Sequence, residues 1–404
     1  MDHLLSQSVN EDRKARVLSF ACLILCGLLT VILGIQYIMP DMLVTLLKPI
    51  FVAACLVSLP IHYYKLSCFR PLAYLAVYYV FVLLAHPITN MTLSTFISFE
   101  LFLVFFFFAG LRKWSKREIA WILRTVCIGC SIQAAIVLGS NPELLRSSGN
   151  AHILYLGVEL NRNTAAFGIA PGGVSAIFLL FFDDRAGAVR LKRMGYLAGA
   201  ALCMFTVLAI GCRSAFFSMA GGLLIMYWQK TGSVESRRKR RNQRALLILG
   251  IIVVYLIALT VTEGTYSARL LQFGENFDDS GRRVYWRIAW ERIMETPVFG
   301  GGFDNMPHSL YLGTHNSFLT IMLYGGFIAV AFVALSFLLC IRESIRCRNL
   351  LPLAFMAETL MHSMTEPGFD YYAYIPLCLT AILLRYIQYQ SDDVSTMFLY
   401  ESGY

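Results

Sequence analysis

The chain has 404 residues, of which 57% are hydrophobic and only 15% are charged. Soluble domains carry about 25% charged residues, so this composition, with a mean hydropathy of +0.62, excludes a string of soluble domains and indicates a polytopic membrane protein. The formal net charge of +9 invites a nucleic-acid function. We expect no nucleic acid as a partner, because most of the positive residues lie in short segments between apolar runs, where they set membrane orientation.

Twelve apolar runs follow one another along the chain, each of roughly the length that a membrane-spanning helix needs. They lie near residues 17–34, 42–62, 71–85, 93–110, 119–139, 163–182, 194–210, 214–229, 245–262, 316–341, 350–365 and 371–388. The sequence therefore predicts an all-α polytopic protein with about 12 transmembrane helices. Nine helices with short loops occupy residues 1–262, one large helical loop spans 263–315 on the outer side, and three helices and a cytoplasmic tail occupy 316–404.

Positive charge is distributed unevenly over the predicted loops. With a cytoplasmic N-terminus, 23 of the 34 lysine and arginine residues fall on the inner side and eight on the outer side. Cytoplasmic loops carry an excess of such residues, so both termini are expected in the cytoplasm. The outer residues are all arginine, whose planar guanidinium suits phosphate. They are Arg146, Arg162, Arg213, Arg269, Arg282, Arg283, Arg287 and Arg292.

The motif "GCRSAF", residues 211–216, joins two apolar runs with almost no loop between them. This arrangement places Arg213 at the outer boundary of the membrane, at the junction of two helix ends. Two interpretations stay open for this residue. It is either an arginine that extends from a helix end into the interface or an anchor for an anionic ligand at the mouth of a cavity.

The motif "GRRVYWRIAWERI", residues 281–293, predicts an amphipathic helix in the large loop. On such a helix Trp286, Trp290 and Ile293 share one face. Arg282 falls on the same face and is expected to point toward the membrane or the core. The alternative is an interfacial helix with tryptophan anchors and arginines that reach into water.

The other arginines of this helix are predicted to point elsewhere. Arg283 and Arg287 lie on its flank, and Arg292 lies on the side of Glu295 as a solvated or paired charge. The whole loop 263–315 holds five arginines and seven acidic residues. It is therefore not a basic patch, and any anion that it binds is expected to be small and held at one place.

A glycine cluster at residues 300–302 ends this helix, and His315 follows at the start of the next apolar run. A histidine at a helix start on the outer side is well placed as a general base. The alternative is an ordinary interface residue. His308, in the same loop, is a weaker candidate for the base.

Ionisable residues also occur inside the apolar runs, at Glu100, Glu358 and His362. Such residues are functional candidates by default. They could equally form an internal pair with Lys48 or Arg124 that only holds helices together. The sequence contains no Walker A motif, no HExxH and no DxD, so neither a metal nor a cofactor is expected.

Together, these motifs resemble the O-antigen ligase and polymerase superfamily of bacterial inner-membrane glycosyltransferases. In that family a pattern G-R-x-x-x-W leads into P-x-x-G-x-G, and then into His-Asn, an apolar helix and glycine. The matching residues are Gly281, Arg282, Trp286, Pro297, Gly300, Gly302, His315, Asn316 and Gly326. Arg213 matches an arginine that the family places at a tight outer turn.

The resemblance implies an enzyme of the inner membrane whose active site faces the periplasm. Its donor would be a glycan linked to undecaprenyl diphosphate, and its acceptor lipid A-core, as in O-antigen ligases. It would work without a metal and invert the anomeric carbon. Arg213 and Arg282 would bind the diphosphate, a role that Arg283 or Arg287 could take instead, and His315 would activate the acceptor hydroxyl. Further candidates for substrate contact are Trp286, Asn316 and Arg162.

Three other functions stay open from the sequence. A polymerase would use the same donor with a lipid-linked repeat as acceptor, a transporter would move the lipid-linked glycan, and a scaffold would do neither. One outer loop dominates here whereas polymerases often have two, which favours a ligase. Ala329 stands where ligases often have glycine, threonine or tyrosine, and this departure weakens the ligase interpretation.

Overall fold

The structure is a computed structural model that describes residues 70–85, 114–145, 152–182, 190–232, 241–242, 282–302, 314–364 and 374–401. Nine helices of thirteen or more residues and one β-hairpin make up this described part. The helices are α1 Arg70–Ala85, α2 Lys116–Ser140, α3 Arg162–Phe182, α4 Arg190–Ile210, α5 Arg213–Gly232, α6 Arg282–Glu295, α7 Ser317–Arg346, α8 Leu351–Ser363 and α9 Tyr374–Glu401. The strands are β1 His152–Tyr155 and β2 Val158–Asn161.

Eight of the twelve predicted spans coincide with helices of the structure, and the ninth helix is the predicted amphipathic one. Within the described part, α2, α3, α4 and α7 are long and apolar enough to cross a membrane. The predicted spans near 17–34, 42–62, 93–110 and 245–262 lie outside the described residues, as do Lys48, Glu100 and His308. The chain is thus a mostly helical membrane protein.

The prediction of an all-α protein missed the hairpin of β1 and β2. The two strands pair antiparallel, with Tyr155 opposite Val158 across a two-residue turn. Leu156 and Gly157 form this turn with positive φ angles of 48° and 89°, as a tight hairpin that follows the twist of its strands requires. Asn141, at the end of α2, fixes the hairpin, because its side chain accepts from Leu154 N at 2.7 Å and donates to Leu154 O at 2.6 Å.

Helix α3 lies at the centre of the bundle and packs against α2, α4 and α5. It is the most buried of the four candidate spans. Gly172 and Gly173 explain this close packing, because a Cβ at either position would lie 2.3 Å from a side-chain carbon of a neighbouring helix. Small residues allow helices in a membrane to approach closely and gain dispersion contacts.

Candidate functional site

The helices α3, α5 and α7 begin at the same end of the bundle. Helix α5 runs antiparallel to α8, since Gln229 near the end of α5 accepts from Leu350 N at 3.0 Å, just before α8. It runs parallel to α3, since Met219 in the first half of α5 lies near Gly173 and Lys230 near the end of α5 donates to Phe181 O near the end of α3 at 3.3 Å. The starts of α3 and α5 therefore lie beside the end of α8.

Helix α7 starts at this same end. Asn316 precedes its first residue, and the Asn316 side-chain amide donates to Met364 O, just after α8, at 3.3 Å. The same side chain caps α7, because its oxygen accepts from Phe318 N at 3.0 Å and from Leu319 N at 3.1 Å. We call this end of the bundle the arginine end, because α3 begins at Arg162 and α5 at Arg213.

Helix α6 lies against the start of α7. The Trp286 indole N–H donates to the Thr314 carbonyl at 2.9 Å. The Tyr285 ring lies 6.1 Å, centre to centre, from the imidazole of His315. The helix that carries Arg282 therefore meets the segment that carries His315 at the arginine end.

The packing face of α6 shares Ile293 with the predicted tryptophan face and also includes Ala289. Ala289 and Ile293 are fully buried, whereas Trp286 and Trp290 expose 37% and 46% of their surface. The small Ala289 side chain allows α6 to lie close to its neighbour, which leaves the two large indoles at the edge of the contact. Half-buried Arg282 lies on the packing face, two turns before Ala289.

The arginines of the site differ in their surroundings. Arg282, Arg213 and Arg162 are half-buried, and each is the first residue of its helix. Arg283 and Arg287 are exposed on the flank of α6. The exposed Arg292 forms an ion pair with Glu295, as its predicted orientation implied. Arg162, Arg213 and Arg282 each combine a guanidinium charge with the positive end of a helix dipole, and this combination favours the binding of an anion.

His315 holds a conformation that few side chains adopt. Its φ is 49°, in the left-handed region, which costs a non-glycine residue on the order of 1–3 kcal/mol and persists only where the surroundings impose it. The Thr314 hydroxyl imposes part of it by donating to Asn316 O at 2.7 Å and accepting from Asn316 N at 3.2 Å. The half-buried imidazole is thus held on a rigid corner before α7.

Helix α7 is interrupted at Gly326, where φ is 64° and ψ is −163°. The break frees backbone groups that must find partners elsewhere in a membrane. Residues 297–302 supply them: Gly301 N and Gly302 N donate to Leu323 O and Tyr324 O at 2.9 Å each, and Phe327 N donates to Pro297 O at 2.8 Å. We call residues 297–302 the glycine strap.

Glycine is required on both sides of this contact. A Cβ on Gly326 would lie 2.3 Å from Val298 O, and one on Gly300 would lie 2.5 Å from Gly325 N. Gly300 and Gly302 also have positive φ angles, of 70° and 78°. The glycine strap therefore joins the end of α6 to the middle of α7 and fixes the two helices on either side of His315.

The buried residues Glu358 and His362 lie one turn apart in α8. The His362 imidazole packs edge-on against the ring of Phe167 from α3. Neither carboxylate oxygen of Glu358 has a hydrogen-bond partner in the described part of the chain. Arg124, one of the partners considered from sequence, donates instead to the hydroxyl of Tyr196 at 2.8 Å.

The sequence interpretation missed three residues around the histidine. The Tyr285 ring packs on the imidazole of His315. The backbone carbonyl of Thr314 accepts a hydrogen bond from the Trp286 indole, and that of Met364 accepts one from the Asn316 amide. Tyr285 was detectable, because it lies three residues after Arg282 and thus on the same helix face. Nothing in the sequence marks Thr314 or Met364, whose backbone carbonyls make these contacts.

The fold and these residues indicate a helical membrane protein with arginines and a histidine at one end of its bundle. Residues 198–334 match the O-antigen ligase family. The match covers about a third of the chain and includes Arg213, α6, the glycine strap, His315 and Gly326. This region is therefore a domain of the O-antigen ligase superfamily, whose substrates in general are lipid-linked glycans. No curated protein matches the chain.

Proposed function

We propose that the chain transfers a glycan from undecaprenyl diphosphate to a sugar hydroxyl of lipid A-core, which is the activity of an O-antigen ligase. The observation that supports the proposal is that α6, His315 and the starts of α3 and α5 lie at the same end of the bundle, the arginine end. This end offers guanidinium groups, helix N-termini and the half-buried imidazole of His315 to a substrate that has a diphosphate and needs a base. In this proposal the chain lies in the bacterial inner membrane, with both termini cytoplasmic and the arginine end toward the periplasm.

The chemistry follows from these groups. The acceptor oxygen attacks the anomeric carbon, the bond from that carbon to the diphosphate oxygen breaks, and the hydroxyl proton passes to His315. The diphosphate leaves with the electron pair, and Arg213 and Arg282 stabilise its developing charge in a partly desolvated site. Attack from the side opposite the diphosphate inverts the anomeric carbon. The arginines do the electrostatic work for which many glycosyltransferases use a metal, so the reaction needs none.

The other candidate residues position the His315 segment or add positive charge to the site. Trp286 and Asn316 hold the His315 segment through their bonds to Thr314 O and Met364 O. Arg162 starts α3 at the same end and adds positive charge for the donor or the glycan. Glu358 and His362 are buried in the last two turns of α8, and this reaction does not use them.

The deciding experiment is the lipopolysaccharide gel profile of a deletion strain complemented with the wild-type gene or with His315→Ala. A ligase predicts that the deletion strain and the His315→Ala strain keep polymerised glycan on the carrier lipid and have none on lipid A-core. Single repeats on lipid A-core would instead identify the polymerase, whose acceptor is another lipid-linked repeat. Purified protein that moves lipid-linked glycan across vesicles without transferring it would identify a transporter.

A further inference from the structure

An open groove of about 500 Å³ runs between α6 and the first turns of α7. Helix α6 lines one side, and α7 lines the other with side chains one turn apart along a helix that is apolar enough to span a membrane. The lining residues are Trp286, Arg287 and Trp290 from α6, and Phe318, Leu319 and Met322 from α7. This volume lies in the range of small-ligand sites.

Hydrogen bonds fix the part of the groove that lies at the start of α7. Asn316, which also lines it, is held by its capping bonds to α7 and by its bond to Met364 O. Trp286 is held by its bond to Thr314 O. The groove therefore includes Asn316, the residue after His315, and continues along α7 over the apolar side chains of Phe318, Leu319 and Met322.

The charge of the groove is as informative as its shape. Arg287 is the only charged residue among those that line it, and no ion pair to it occurs within the described part of the chain. One cation in a groove whose α7 side is apolar beyond Asn316 matches an amphiphile that has an anionic head and one hydrocarbon chain.

We propose that this groove holds the first isoprene units of the donor's polyprenyl chain, with Arg287 on the adjoining phosphate. This inference rests on the proposed function. In a polyprenyl diphosphate the chain begins at the phosphate, so a phosphate-binding arginine and a chain-binding groove must adjoin. The lipid anchor of lipid A-core, in contrast, is separated from its reacting hydroxyl by a glycan, so its acyl chains have no reason to lie beside His315.

The test uses full-length protein in nanodiscs and a polyprenyl phosphate with a photoreactive diazirine in its first isoprene units. The labelled peptide is then identified by mass spectrometry. We expect the label on Trp290, Phe318 or Leu319, and displacement of the probe by undecaprenyl phosphate but not by lipid A. A label on any other surface, or displacement by lipid A alone, would overturn the proposal.

Filling the groove gives an independent measurement. Met322→Trp is expected to weaken the binding of undecaprenyl phosphate at least about tenfold, since two or more CH₂ groups lose their contact. The matched control is Leu338→Trp, at a 62% exposed position farther along α7, which should bind like the wild type. Equal binding by Met322→Trp and the wild type would contradict the groove.

These results separate the groove from the reaction. Wild-type protein that labels in the groove but transfers no glycan would overturn the proposed function and leave the lipid site standing. Protein that transfers glycan but labels elsewhere would overturn the lipid site and leave the proposed function standing.

Discussion

Two corners of the molecule have the same construction and different chemistry. At the hairpin, Leu156 has a φ of 48° and Asn141 holds the neighbouring backbone. Before α7, His315 has a φ of 49° and Asn316 holds the neighbouring backbone. A left-handed residue beside an anchoring asparagine is thus not by itself the mark of a site.

The two corners differ in what requires the strain. A two-residue hairpin demands positive φ at Leu156 whatever the side chain is. No such turn exists at His315, which instead lies between a bonded threonine and a helix cap and packs on Tyr285. Strain that local geometry does not demand, on a residue able to accept a proton, is the better indicator of function.

The most direct test of this comparison removes the imidazole of His315 and keeps the left-handed backbone conformation. Glycine adopts positive φ freely, so His315→Gly should accumulate at the wild-type level. Its transfer rate should fall by about 10²–10⁴, the usual contribution of a general base. Transfer from purified lipid-linked glycan is measured with and without added imidazole, which should restore part of the rate. Loss of accumulation with no rescue would mean that His315 is structural.

The next prediction compares the transfer rates of two arginine variants of α6. Arg282→Ala should lower transfer by about 10²–10³, the loss expected when one preorganised donor to a developing anion is removed. Arg283→Ala is the matched control on the exposed flank and should change the rate by less than about threefold, because its charge remains in water. The assay is initial rate in detergent at one donor concentration. A larger loss for Arg283→Ala would move the diphosphate contact to that residue.

The glycine strap can be tested with a methyl group. In Gly326→Ala the new Cβ meets Val298 O at 2.3 Å, so the strap and α7 must separate. A displacement near 1 Å beside a reacting group costs about 10² in rate. Gly221→Ala is the control, since nothing lies within 4 Å of its Cβ. Both variants are compared for transfer and for melting temperature, and equal rates would show that the strap does not position His315.

Loss of the Trp286 indole hydrogen bond should lower the transfer rate by a smaller factor. Trp286→Phe keeps an aromatic wall and removes the N–H that donates to Thr314 O. The loss of one such bond, about 0.5–1.5 kcal/mol, should lower kcat by about 2- to 10-fold through a looser His315 segment. Trp290, on the same helix, makes no hydrogen bond to that segment within the described residues, so Trp290→Phe should keep kcat. Initial rates over a range of acceptor concentrations separate kcat from KM.

Sequence patterns predicted the parts of the site that depend on helix periodicity and on end signals. The tight turn before Arg213 follows from the apolar runs, and the start of α6 follows from its motif; the structure agrees with both. Helix α6 ends at Glu295, however, five residues before the glycine cluster that was predicted to end it. Of the predicted tryptophan face, Ile293 is buried and the two tryptophans are partly exposed, because periodicity weights large apolar residues. Packing instead selected Ala289, the residue that permits the closest approach.

Other features depend on contacts that no local pattern contains. The glycines of the strap are visible in the sequence, but their partner is a break in α7 some 25 residues later. The hairpin escaped notice because its turn reads Leu-Gly, whereas the usual signal for positive φ at both positions is Asn-Gly or Asp-Gly. Each strand is only four residues long, too short for a clear alternation.

The hairpin corner provides the smallest and most selective test of the comparison. Leu156→Asn puts a residue that tolerates the left-handed region where leucine does not. Leu156 is 55% exposed, so little packing is lost. The variant should unfold a few degrees higher, a gain of about 0.5–1 kcal/mol if the strain is relieved, and its transfer rate should equal that of the wild type. A changed rate with unchanged melting would instead assign the hairpin a part in catalysis, and the two corners would then differ in degree only.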